Sequence, residues 1–256
     1  MSTNEKYKKY QIGRTGIKAT SYERINTGRR KKADENPLPA QPMTAQELDT
    51  AYRYRQRAKR EHLIFLADVN FTADSSVFVT LTFRENLQDY DRAVKAFKLF
   101  TKRLRRKLDD LRYIATIETQ QRGAYHFHLI VNCQNVQFAL DNLVQCWHNG
   151  VTDVQAVEDV KRVMLYMTKD LVNQGRDHPL CGRRCYFLSQ GLEQYETVTS
   201  WNSATAEVLG VEAMIQNKRP INSNTVNSTK AGLTEYTDFR FPTNWYKVPV
   251  VAKLKR

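Results

Sequence analysis

His126 and His128 stand two residues apart in YHFHLIVN. In an extended strand, residues two apart project from the same face, and two imidazoles side by side form a bidentate platform for a metal ion. Glu118 closes the preceding strand. Pairing it with His126 leaves a five-residue loop, 120–124, with Gly123 inside. That register sets Ile114, Thr116 and Glu118 on the histidine face. Tyr113, Ala115 and Ile117 then join Phe127, Leu129 and Val131 on the apolar face. A slip of one residue would turn the apolar set outward, so the alternation fixes the register independently of any metal. Two ring nitrogens and one carboxylate oxygen leave positions for water or a phosphate oxygen. Such a mixed N/O set suits a divalent ion acting as a Lewis acid.

A second constellation lies in DVKRVMLYMTKDLV. Val160, Val163, Met164, Met167 and Leu171 recur at helical spacing as a buried stripe. Tyr166 and Lys169 lie together on the opposite side, with Arg162 one turn earlier. Cations beside a tyrosine favour phenolate over phenol and stabilise charge on a phosphate, which is the setting of a nucleophile. Taken singly, each constellation has a plainer reading: a histidine pair on a half-exposed strand, and a surface tyrosine among helix-face cations.

The chain that must position these residues has 256 residues, 41% hydrophobic and 11% aromatic, enough for a real core. Forty Lys and Arg against 27 Asp and Glu give a net charge of +13, which favours a polyanionic partner. Residues 1–61 alone hold fifteen Lys and Arg and seven Asp and Glu. No apolar run approaches the roughly 18 residues of a membrane span, and MSTNEKYKKY lacks the apolar stretch of a secretory signal. Four cysteines in a chain of this length form no disulfide framework, so a reducing compartment is expected.

Along the chain, residues 1–43 read as a flexible basic arm (Arg29, Arg30, Lys31, Lys32) and a stiff linker (Pro37, Pro39, Pro42). Thr44 to Glu47 forms a capping box, predicting a helix to about residue 66 with Arg53, Arg57 and Arg60 on its wet face. VFVTLTF (77–83) is a strand whose Val79, Leu81 and Phe83 share one face and whose Phe78, Thr80 and Thr82 share the other. A helix over about 89–108 buries Val94, Phe97, Phe100, Leu104 and Leu108 and exposes Lys98, Lys102, Arg103, Arg105 and Arg106. Strands at 112–118 and 125–132 form a hairpin. A helix over 136–148, a strand at 151–156, a helix over 158–173 and an edge strand at CYFLS complete the pattern. Residues 190–235 are polar and weakly patterned. The order β-α-β-β-α-β-α-β predicts an α+β domain over 44–190, with an antiparallel or mixed sheet of about five strands, and an extension of unknown role over 191–256.

FVTLTF, ETQQRGAYHFHLIV and YMTK, in that order over roughly residues 60–190, resemble the HUH endonucleases, in particular the rolling-circle replication initiators of bacterial plasmids and phages. The initiators' E-x-Q-x-R-G-A-x-H-x-H pattern is met by Glu118, Gln120, Arg122, Gly123, Ala124, His126 and His128. The resemblance implies a ferredoxin- or RRM-like antiparallel sheet with flanking helices, in a protein of the bacterial cytoplasm. It implies Mg²⁺ or Mn²⁺ on His126 and His128 with Glu118 as third ligand. Tyr166 would attack the scissile phosphate, leaving a 5′-phosphotyrosine and a free 3′-OH, and Lys169 would orient the phosphate or the phenolate. The implied partners are single-stranded or hairpin origin DNA and a host helicase and polymerase, with no membrane. DNA contacts are expected from Arg122, Arg162, Lys102, Arg103, Arg106, Arg53 and Arg57, and the basic arm should add non-specific, salt-sensitive affinity.

Some initiators carry two tyrosines as Y-x-x-K-Y. Here Arg162 and Leu165 stand where an earlier tyrosine would, which suggests single-tyrosine chemistry with a second subunit or an activated water making the second cleavage. No G-x-x-x-x-G-K-[ST] occurs, so no P-loop helicase is fused. Relaxases place the tyrosine before the histidines. A single-tyrosine HUH transposase and a non-catalytic single-stranded DNA-binding protein are the competing readings. His178, Cys181 and Cys185 are spaced too widely for the usual zinc pattern, and Cys133 and Cys146 read as small buried residues. Phe239, Phe241, Trp245 and Tyr246 either stack on unpaired bases or cover a sheet edge.

Overall fold

A computed structural model describes residues 7–23, 42–133, 135–200, 205–228 and 232–241. In chain order its elements are β1 (Tyr7–Ile12), β2 (Gly16–Tyr22), α1 (Ala45–Asn70), β3 (Ser76–Phe83), α2 (Tyr90–Leu104) and β4 (Tyr113–Thr119). There follow β5 (Tyr125–Asn132), α3 (Val136–Leu143), β6 (Gly150–Ala156), α4 (Val160–Met167) and α5 (Lys169–Asn173). The last are β7 (Tyr186–Leu188), β8 (Glu196–Thr199), α6 (Thr205–Ile215), β9 (Asn222–Ser228) and β10 (Gly232–Arg240). The chain is α+β and divides into two compact units, Met43–Glu193 and a unit made of Met1–Pro42 with Gln194–Arg256.

In the Met43–Glu193 unit, a five-stranded sheet runs β6-β3-β5-β4-β7 with every neighbouring pair antiparallel. α1 begins where the capping box predicts: the Glu47 amide donates to Thr44 Oγ1 at 3.2 Å, and the Thr44 amide donates to Glu47 Oε2 at 2.8 Å. Asp89 starts α2 in the same way, accepting from the Arg92 amide at 3.0 Å. One sheet face carries Val79, Leu81, Phe83, Ala115, Ile117, Phe127 and Leu129, all buried under α2 and its neighbours. Phe97 of α2 stacks on Phe127 with centroids 4.4 Å apart, and Trp147 meets Phe83 edge-on at 4.9 Å. Each fully buried side chain of this size contributes about 1.5–3 kcal/mol.

The other face is divided. Phe78, Ile114 and Ile130 are buried in the cluster that includes Leu63, Leu66 and Ala67 of α1 and Met164 and Met167 of α4. Beyond them the same face turns polar, with Thr80, Thr116, Glu118, His126 and His128. A sheet covered on one side and half of the other thus leaves a polar end beside α4.

Three helix boundaries differ from the sequence expectation. α2 ends at Leu104 and α3 at Leu143, each followed by a short turn. The helix expected over 158–173 is two, because the buried Thr168 turns its hydroxyl back onto the Met164 carbonyl and leaves helical geometry at φ −103°, ψ 6°.

The second unit is built from both ends of the chain. Its five-stranded antiparallel sheet runs β8-β1-β2-β10-β9. Tyr10, Ile12, Ile17, Val198, Val211 and Phe241 form its core, and Glu212 of α6 takes the Tyr10 hydroxyl at 2.8 Å and the Lys8 ammonium at 2.6 Å. This corrects the reading of 1–43 as an irregular arm: within it, β1 and β2 form a hairpin whose flanking partners lie far along the chain, so no local pattern announces them. It also corrects 191–256 as an extension by itself, since β8, β9 and β10 complete the sheet that β1 and β2 begin. Phe241 is buried in that core and Phe239 packs against it. The cluster Arg29–Lys32, Pro37, Pro39, Trp245 and Tyr246 lie outside the described residues. Among the described residues, no helix is long and apolar enough to cross a membrane.

Candidate active site

The β4–β5 hairpin sets the geometry. Glu118 pairs with His126 and Thr116 with His128, as the apolar alternation requires, and on the other side of β5 Thr82 pairs with His126 and Thr80 with His128. The loop closes through bonds from the Gln120 amide to the Ala124 carbonyl and from the Gly123 amide to the Gln120 carbonyl, both 2.8 Å. Gly123 sits at φ +85°, and a Cβ there would stand 3.0 Å from the Gln88 amide nitrogen. That nitrogen donates to the Arg122 carbonyl at 3.0 Å, so the loop needs glycine both for its dihedral and for the room.

His128 is 3% exposed and fully engaged. Its Nε2–H donates to Glu118 Oε1 at 2.6 Å, and in the neutral ring Nδ1 accepts from the Thr80 hydroxyl at 3.1 Å. The ring lies over Phe78, 5.7 Å away and nearly parallel. Burial pushes the Glu118 carboxyl up, but the His128 bond and charge, the Asp170 bond and the Lys169 charge outweigh it and hold it at about 2. Asp170 moves the other way, to about 6, through burial and then through its bond to the Glu118 carboxylate. The protonated Asp170 therefore donates to the ionised Glu118.

His126 is 6% exposed, and its Nε2 is buried with no hydrogen-bond partner. Burial, followed by the charges of His128 and Arg122, pushes it below its ordinary value of 6.5 against the pull of Glu118, so the ring is neutral at pH 7. An unsatisfied buried nitrogen costs about 1–3 kcal/mol. The Thr116 hydroxyl, on the same face, is likewise buried without a partner.

Tyr166 stands at the end of α4, 48% exposed. Its ring meets His128 edge-on at 5.5 Å and Phe78 edge-on at 5.8 Å. Lys169 Nζ lies 4.6 Å from the centre of the Tyr166 ring. The helix break at Thr168 puts Lys169 and Asp170 at the start of α5, the lysine by the tyrosine and the aspartate by Glu118.

The fold thus gathers Glu118, His126, His128, Tyr166 and Lys169 at one end of one sheet face. Among the described residues, no three His, Cys, Asp or Glu side chains are grouped so as to hold a metal ion as they stand, because Glu118 is turned onto His128. The donor set itself fits a divalent ion: two neutral-capable imidazoles, one with an idle buried nitrogen, beside an ionised carboxylate. Freeing Glu118 from His128 is the change that loading would require.

The other basic residues are dispersed. Arg122 is exposed on the hairpin loop, its Nε donating to Gln120 Oε1 at 3.0 Å, and Arg162 is exposed in the first turn of α4. Lys102 and Arg106 are exposed on α2 and the turn after it, over the opposite sheet face from Tyr166, and Arg103 donates to the Cys146 carbonyl at 3.3 Å. Arg53 pairs with Asp49 at 2.7 Å, while Arg57 is exposed on α1. His178 uses both ring nitrogens, one with the Thr119 hydroxyl at 3.0 Å and one with the Leu180 amide at 3.2 Å.

Two site residues escaped the sequence reading. Thr80 had a signal, since strand parity puts it on the histidine face. Asp170 had none, because it reaches Glu118 only through the break at Thr168.

A family model described as Replication-associated protein ORF2 matches residues 76–173, from β3 through α5, a match consistent with a replication initiator. No curated protein and no solved structure matches the chain.

Proposed function

We propose that the chain is a rolling-circle replication initiator that nicks single-stranded origin DNA through Tyr166. The contact that carries this reading is the packing of a half-exposed tyrosine against His128, which itself holds Glu118, with Lys169 over the tyrosine ring. The match of residues 76–173 supports the same role.

Phe78 and His128 restrict the Tyr166 ring on two sides, so its hydroxyl is presented with little loss of rotamer freedom. The Lys169 ammonium stabilises phenolate and phosphate charge. As the bond from Tyr166 Oη to phosphorus forms, the bond from phosphorus to the 3′ oxygen breaks. The phenol proton passes to solvent and the departing 3′ oxygen takes one up, leaving a 5′-phosphotyrosine and a 3′-OH. The phosphodiester is exchanged rather than hydrolysed, so the same site rejoins strands without ATP. Mg²⁺ or Mn²⁺ on His126, His128 and Glu118 would polarise the scissile phosphate as a Lewis acid. Thr80 fixes the orientation of the His128 ring from behind. A host helicase would unwind the origin and a host polymerase would extend the 3′-OH.

The test is a denaturing gel of protein and single-stranded origin DNA with Mn²⁺ present or chelated, alongside Tyr166→Phe. A metal-dependent covalent adduct absent from the variant supports the reading, and an adduct that persists in the variant moves the nucleophile elsewhere. The closed Glu118–His128 pair favours one second reading, a non-catalytic single-stranded DNA-binding protein. Tight, metal-independent binding with no adduct selects it.

A further inference from the structure

Within the Met43–Glu193 unit, some basic side chains are neutralised by a carboxylate and others are not. Arg53 pairs with Asp49 at 2.7 Å, Arg112 with Asp110 at 2.8 Å, and Arg92 lies 3.8 Å from Glu85. Lys98, Lys102 and Arg105 on and just after α2, and Arg183 and Arg184 in the turn before β7, form no ion pair among the described residues.

Two of these cations are held in place. The Arg183 guanidinium lies 4.6 Å over the Tyr90 ring and that of Arg184 lies 5.2 Å over Phe187. Arg184 Nε donates to the Tyr186 carbonyl at 3.0 Å, and the Tyr90 hydroxyl donates to the Arg184 carbonyl at 2.8 Å. Phe187 packs 5.2 Å from Phe97, which ties this turn to α2.

Electrostatic neighbours give the order of the run. Arg122 acts on His126, Arg183 on Tyr90 and Tyr125, and both Arg184 and Arg105 on Tyr113. The positive charge therefore starts beside the histidine face, passes the hairpin end and continues along the β7 side of α2. Lys98 and Lys102 precede Arg105 by seven and three residues, which sets all three along one flank of the helix. Asp89 and Asp91 also act on Tyr125, but Asp89 is occupied in capping α2.

Uncompensated cations this close together raise the local potential, and a polyanion supplies the missing charge. The rings beneath Arg183 and Arg184 are already covered by guanidinium groups, so they offer no bare face to unpaired bases. Phosphates of a duplex, whose bases are stacked inside, match such a surface better than a single strand does. We propose that Arg183, Arg184, Arg105, Lys98 and Lys102 dock the sugar–phosphate backbone of a duplex DNA stem, continuous through Arg122 with the strand held at Tyr166. This assignment rests on the nicking reading for its geometry, but its test does not depend on cleavage.

The experiment is fluorescence anisotropy of the full chain in EDTA, titrated against a labelled hairpin with a stem of about one helical turn (~10 bp) and a single-stranded arm, and against the arm alone. Arg183→Gln with Arg184→Gln should weaken hairpin binding by about tenfold or more and lower its salt slope by about one for each phosphate no longer engaged, with the arm alone changed less than about twofold. Lys98→Gln with Lys102→Gln, on an exposed helix face, should act in the same direction without touching any packed ring. Arg92→Gln removes one charge from the same helix at an ion-paired position and should change hairpin binding less than about twofold. Equal losses on hairpin and arm would overturn the duplex assignment, and unchanged hairpin binding in both double variants would overturn the site itself. The adduct assay on the same proteins separates the two readings. Weakened stem binding without any wild-type adduct sinks the nicking reading and leaves the docking surface, whereas a normal adduct with unchanged stem binding sinks the docking surface alone.

Discussion

The His128 and Tyr166 rings meet edge-on, with centroids 5.5 Å apart and planes at 76°, while the same imidazole donates to Glu118 at 2.6 Å. One buried side chain therefore touches both the proposed nucleophile and the carboxylate proposed as a ligand. Any movement of Glu118 is transmitted to the surface against which Tyr166 rests.

Tyr166→Phe keeps the ring contacts to Phe78 and His128 and removes only an exposed hydroxyl. Its unfolding free energy should stay within about 0.5 kcal/mol of wild type in urea titrations, while covalent adduct on a denaturing gel falls to background. A large drop in stability would mean that the hydroxyl has a structural partner instead.

Thr80→Val removes the hydroxyl behind His128 Nδ1 and keeps the strand-forming branch at Cβ. Mn²⁺ affinity, followed by the loss of the free-ion paramagnetic resonance signal, should fall by about 10-fold or more, and Thr80→Ser should restore most of it. Equal affinities in wild type and Thr80→Val would remove Thr80 from the site.

Gly123→Ala places a side chain at φ +85° and 3.0 Å from the Gln88 amide. The dihedral alone costs about 1–2 kcal/mol. Combining it with Gln88→Ala should recover only the steric part, leaving a deficit measurable as a lower urea midpoint. Full recovery in the double variant would show that crowding, not backbone conformation, demands glycine here.

Burial lowers His178 below its ordinary value of 6.5. The unfolded chain then binds its proton at a higher pH than the folded one, so stability from this group is complete above about pH 6.5 and is lost as the pH falls below it. His178→Gln should flatten the decline in urea midpoint between about pH 7.5 and 5.5. An unchanged decline would assign the acid sensitivity to other groups.

The part of the fold made by neighbours in sequence was legible. The capping box at Thr44, the parity of Phe78, Thr80 and Thr82, and the register of Glu118 on His126 all depend on spacing, and the structure has them. What was hidden depends on distant partners. β1 and β2 carry Lys and Thr between their core residues, and their strand character rests on pairing with β8 and β10 from the far end of the chain. Asp170 was hidden for a different reason. A continuous helix through Thr168 is what the apolar stripe suggests, and a single hydroxyl turned onto Met164 re-aims the two residues that follow.

The sheet assembled from both ends of the chain has a consequence for synthesis on the ribosome. β1 and β2 emerge first, yet three of the five strands in their sheet come after residue 195. The Met43–Glu193 unit has all of its own strands earlier. It can therefore close before the two-ended sheet does, replacing a long flexible loop between β2 and β8 with a folded body and easing the later pairing. The two-ended sheet then serves as a mark of completed translation: a product stalled before β10 leaves β2 without one of its two neighbours and exposes its edge to quality control.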